Sequence, residues 1–83
     1  MESFQRPLPK TIFELEEQIA RIEMAQKACC DSIRRLMDSE DIANGVVFPR
    51  QIHELHQQKN MLETYKQYRR VRISRLKTQS GVQ

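Results

Sequence analysis

The chain has 83 residues, with 14 Lys/Arg against 11 Asp/Glu for a formal charge of +3, and only two Gly and three Pro. That length holds at most one small domain. A chain 39% hydrophobic and 30% charged is neither collagen-like, linker-like nor strongly disordered. No apolar run nears the ~20 residues that span a membrane.

Residues 1–10 carry charges together with Pro7 and Pro9, and no apolar period. They read as an extended arm and not as a secretory leader. Thr11 with Glu14 three residues on has the spacing of a helix-capping box. Beyond it Ile12, Leu15, Ile19, Ile22, Cys29, Ile33 and Leu36 follow in steps of three, four and seven, with polar Gln26 filling the gap. This is a heptad seam and predicts a first helix over about 11–39.

Asp38, Glu40 and Asp41 place carboxylates where a helix C-terminus disfavours them, and Asn44-Gly45 is a turn signal, so 40–48 reads as a loop. Val46, Val47 and Phe48 form a short apolar segment expected to fold under that loop. Pro49 suits the first position of a second helix, predicted over about 49–78. Its stripe is Ile52, Leu55, Leu62, Tyr65, Ile73 and Leu76, with Met61, Tyr68 and Val71 beside it and Lys59, Lys66 and Arg69 on seam positions. Residues 79–83 read as a flexible tail.

A short connection makes the two helices an antiparallel hairpin. With the tip at Asn44, facing residues have numbers adding to about 88, which sets Leu36 against Ile52, Ile33 against Leu55, Leu15 against Ile73 and Ile12 against Leu76. The same rule brings acidic Glu14, Glu16, Glu17 and Glu23 beside basic Lys66, Arg69, Arg70, Arg72, Arg75 and Lys77. Such exposed pairs are worth only ~0.2–1 kcal/mol each, so they select orientation more than they stabilise.

The expected fold class is therefore all-α: a coiled-coil-like two-helix hairpin. Two helices alone leave the flanks of every seam residue wet, and a scaffold this small needs a staple. The adjacent cysteines Cys29 and Cys30 rarely bond to each other, and they point to a reducing, cytoplasmic or otherwise intracellular setting. A second copy is then the natural staple, giving a four-helix bundle by dimerisation. The self-association residues are Ile12, Leu15, Ile19, Ile22, Ile33, Leu36, Ile52, Leu55, Leu62, Ile73 and Leu76. The layout is similar in architecture to plasmid copy-control hairpin dimers and to short coiled-coil chaperones, and architecture alone carries no function.

His53 and His56 share a helix face near the cysteines, but adjacent cysteines diverge by about 100° on a helix and do not match the usual zinc-ligand spacings. No phosphate loop or nucleophile motif is present. The expectation is thus a non-enzymatic protein without cofactor, metal, small-molecule substrate or membrane partner. It is a small regulator, inhibitor or adaptor that meets itself and a larger protein or complex. Partner contact is assigned to Tyr65, Tyr68, Arg69, Arg70, Arg72 and Arg75, because residues 66–77 hold six cations in twelve positions. The same segment makes a nucleic-acid-binding accessory protein the first alternative. A structural subunit or chaperone of a larger complex is the second.

Overall fold

The computed structural model describes residues 8–81. Residues 1–7 of the expected arm and 82–83 of the expected tail lie outside the described residues. Helix α1 spans Ile12–Ser39 and helix α2 spans Pro49–Gly81, with a short 3₁₀ turn at Ile42–Asn44 between them. The two helices pack on each other as a hairpin rod with extents of 65 × 20 × 14 Å. Its thin dimension is close to one helix diameter of ~10–12 Å, so the molecule is a single layer two helices wide.

Local chemistry sets the ends of the elements. Thr11 sits in extended backbone, and its hydroxyl accepts the Glu14 amide at 3.2 Å, which satisfies one of the unpaired first-turn donors. At the other end α1 stops at Ser39, and the loop carboxylates take up backbone donors. Asp41 accepts the Asn44 backbone amide at 3.4 Å and the Asn44 side chain at 2.6 Å, while Glu40 accepts the Phe48 amide at 3.0 Å, just ahead of Pro49. Asp41 and Val46 exchange two backbone hydrogen bonds at 2.7 and 2.8 Å, closing the tip. Gly45 turns the chain at φ 72°, a left-handed conformation that glycine adopts without steric cost.

Two expectations about this half of the chain change. Val46 and Val47 stay exposed and only Phe48 is half-buried, because the Asp41–Val46 bridge holds the segment out along the tip. α2 continues past Thr78 to Gly81, since no proline or helix-breaking run stands before Gly81.

The core is narrow. Ile22, Cys29 and Leu62 are buried together, with Ala25, Leu55 and Tyr65 packed on them, and Leu15 and Ile33 extend the buried line along α1. Cross-helix polar contacts pair residues whose numbers add to between 87 and 93, close to the 88 expected.

Candidate association surface

Helical periodicity decides which side chains the seam consumes. Of the eleven residues assigned to self-association, Leu15, Ile22, Ile33 and Leu62 are buried within one chain. Ile12, Ile19, Leu36, Ile52, Leu55, Ile73 and Leu76 are half-buried. The hairpin thus uses much of this surface internally.

The polar positions inside the seam are bonded across it. The Gln26 side-chain amide donates to Glu63 at 2.9 Å, and its carbonyl accepts from Lys66 at 3.0 Å. Lys66 also lies 3.3 Å from Glu63 and 3.8 Å from Glu23. Gln67 donates to the second Glu63 oxygen at 2.6 Å. Hydrogen bonds from Gln67, Gln26 and Lys66 hold the Glu63 carboxyl down at about 2, well below its ordinary range. The Cys29 thiol lies 3.9 Å from the Gln58 carbonyl, and burial, reinforced by neighbouring Cys30, pushes it up.

Arg69 is the clearest correction. Assigned to a partner, it is only 2% exposed. Its Nε donates to Gln18 at 2.7 Å and its Nη1 to the Tyr65 carbonyl at 2.9 Å, and burial pulls its pKa down from the ordinary arginine value. The physical reason is position. Arg69 stands seven residues after Leu62, two helical turns along the same face, and Gln18 across the seam supplies the acceptor that lets a guanidinium stay there. Tyr65 is also turned inward, half-buried against the Ile22–Cys29–Leu62 cluster.

Three of the remaining assigned residues lie outward, and Arg72 stands at the seam's margin. Tyr68 is 58% exposed, Arg70 and Arg75 are exposed, and Arg72 is half-buried. The acidic and basic clusters meet less than expected. Glu23 reaches Lys66 and Arg70, each at 3.8 Å. Among the described residues, Glu14, Glu16 and Glu17 form no ion pair, and neither do Arg72, Arg75 and Lys77. Arg72 Nε is buried without a hydrogen-bond partner.

Two open grooves of about 600 Å³ each flank the ridge made by Val71 and Arg75. Tyr68, Arg72 and Leu8 line one, and Gln67, Arg70, Ser74 and Thr78 line the other. Among the described residues three guanidinium groups border these grooves, and no carboxylate does. A third depression of about 310 Å³ near the tip brings Cys30, His56, Lys59 and Asp38 together with Ile33 and Met37. Among the described residues no three His, Cys, Asp or Glu side chains gather as a metal site, and no helix is long and apolar enough to cross a membrane.

Sequence reasoning placed Met61, Tyr68 and Val71 beside the seam and gave no role to Phe13, Met24 and Met37. All six are large, apolar and exposed, with Phe13 at 71% and Met24 at 73%. Met61, Tyr68 and Val71 share one outer face of α2, and Phe13 and Met24, eleven residues apart, share one of α1, while Met37 stands on a different side. Fold and surface together define a helical hairpin with an apolar and charged exterior. No known protein family, no curated protein and no solved structure matches the chain.

Proposed function

We propose that this protein is a non-enzymatic interaction module, a small regulator or adaptor, whose first partner is another copy of itself. The carrying observation is the imbalance between inside and outside. Among the described residues five apolar side chains are buried, while nine large ones, Ile42 at 84% the most open, remain on the surface. Burying a large apolar side chain is worth roughly 1.5–3 kcal/mol, and ordering a residue's backbone opposes folding by roughly 1–2 kcal/mol. A one-layer rod with so small a core gains most by covering its outer surface. The four-helix bundle expected from the sequence is one closed way to do so, using the flanks of the half-buried seam residues.

A larger acidic protein is the second partner this surface fits, because Arg72, Arg75 and Lys77 have no ion pair among the described residues. The same cations favour the nucleic-acid alternative, with Tyr68 among them able to stack on a base, while exposed Met61 and Val71 on the same side favour an apolar protein surface. The two unbonded cysteines are in keeping with a reducing, intracellular setting.

The test is light scattering combined with circular dichroism over a dilution series. Mass and melting temperature both falling on dilution support self-association. A chain that stays monomeric and melts at one temperature at every concentration refutes it.

A further inference from the structure

Each helix carries a second ridge on the side turned away from the seam. On α1 it runs Phe13, Glu17, Ala20, Met24, in steps of four, three and four, and all four residues are exposed. On α2 it runs Met61, Thr64, Tyr68, Val71, Arg75, Thr78, in steps of three and four throughout, again all exposed. Both have the spacing of a helix-packing seam, and neither has a partner helix in the hairpin.

We infer that these two ridges bind each other between copies, so that the α1 edge of one hairpin docks on the α2 edge of the next, head to tail. This rests on the self-association reading and names the surface that performs it.

Size complementarity is the first argument. Set edge to edge at the hairpin's own register, with facing numbers adding to about 88, Ala20 of one copy meets Tyr68 of the next. Met24 meets Thr64, Phe13 meets Arg75 and Glu17 meets Val71. At nearly every level a large side chain faces a smaller or flexible one, which is how two helix surfaces interdigitate. Phe13 against Arg75 also presents an aromatic face to a guanidinium.

Charge is the second argument. Residues 11–23 hold four Glu and one Arg, and Glu14, Glu16 and Glu17 have no ion pair among the described residues. The α2 edge has no carboxylate between Thr64 and Gln79, and Arg72 and Arg75 are likewise unpaired. An α2 ridge packed on its own copy would set Arg against Arg, and an α1 ridge would set Glu against Glu. Only the mixed contact joins opposite charges. Because the two ridges lie on opposite edges of the rod, that contact is heterologous and does not close at two copies.

The test uses the full chain in four forms: wild type, Ala20→Arg, Tyr68→Glu and the double variant. Light scattering over a concentration series reads the mass, and circular dichroism checks that helicity is kept. Wild-type mass is expected to climb past two copies, and to climb less in high salt. Each single variant places like charge and wrong volume on one ridge, and is expected to need about tenfold or more concentration to associate. Mixing the two singles restores growth, as does the double variant, because the new arginine then meets the new glutamate. Should either single lose helicity, the milder Phe13→Ala and Val71→Ala weaken growth in the same direction.

A wild-type mass that stops at two copies, or single variants that assemble like wild type, overturns the head-to-tail contact and leaves self-association standing. A wild-type chain that stays monomeric at every concentration overturns both.

Discussion

Arg69 is the residue whose position most separates a closed seam from an open one, and two substitutions test it. Arg69→Ala removes two buried methylenes, worth about 1.6 kcal/mol at ~0.8 kcal/mol each. It also strips the donor from the Gln18 carbonyl, which accepts at 2.7 Å, at a further cost of about 1–2 kcal/mol for a half-buried group. The expected loss is about 3 kcal/mol. Arg69→Met fills the same slot with an unbranched apolar chain. It gives up the hydrogen bonds but no longer holds a charge out of water, and such exchanges run close to neutral, so about 1 kcal/mol or less is expected. Marginal stability near 0.05 kcal/mol per residue puts the whole 83-residue chain at about 4 kcal/mol. The alanine variant therefore sits near the edge of unfolding while the methionine variant does not. Urea unfolding followed by helicity reads the difference, at one fixed chain concentration so that the proposed self-association contributes equally to every variant. If the guanidinium instead lay in water, both variants would fall within about 0.5 kcal/mol of wild type, and the seam described above would be wrong.

Two further outcomes follow from the polar groups and the tip. Glu63 is held at about 2 in the folded chain against an ordinary 4.5, so the stability it contributes is complete above pH 4.5 and is lost as pH falls toward 2. Urea midpoints measured across that window should drop in wild type, and Glu63→Gln should flatten the drop. Gly45 has φ 72° and no atom within 4 Å of where a Cβ would stand, so Gly45→Ala meets only the backbone penalty of about 1 kcal/mol. Gly45→Asn should lose less, because asparagine tolerates the left-handed region, and a thermal melt of both variants checks the order.

The helices were legible because a seam of Ile and Leu at three- and four-residue steps has few other readings, and Thr11, Asn44-Gly45 and Pro49 mark the ends where the elements change. The fate of the charges on the seam was not legible. A cation at a seam position either extends its head to water or stays buried against a partner, and the deciding group for Arg69 is Gln18, 51 residues away. Nothing local to Arg69 marks that acceptor. The valines of the tip misled for a similar reason, since a short apolar run says nothing about whether a backbone bridge will hold it clear of the core. The outer ridges were present in the spacing of Met61, Tyr68 and Val71, but a residue flanking a strong seam reads as its margin until burial separates the two.

The polar groups in the seam and the ridges outside it are linked through register. Apolar residues spaced three and four apart still meet apolar residues if one helix slides by a turn, so Leu and Ile alone specify the hairpin loosely. Gln26, bonded at once to Glu63 and Lys66, and Gln18, bonded to Arg69, do not survive such a slide. They fix which level of α2 stands beside which level of α1. That alignment also sets the height of Tyr68 relative to Ala20 on the two outer edges. A hairpin slipped by one turn would still be helical and still expose its ridges, but copies docked edge to edge would then be offset from one another along the rod. The buried polar contacts thus fix the register of the hairpin as well as adding to its stability, and under the head-to-tail proposal that register also aligns one copy with the next.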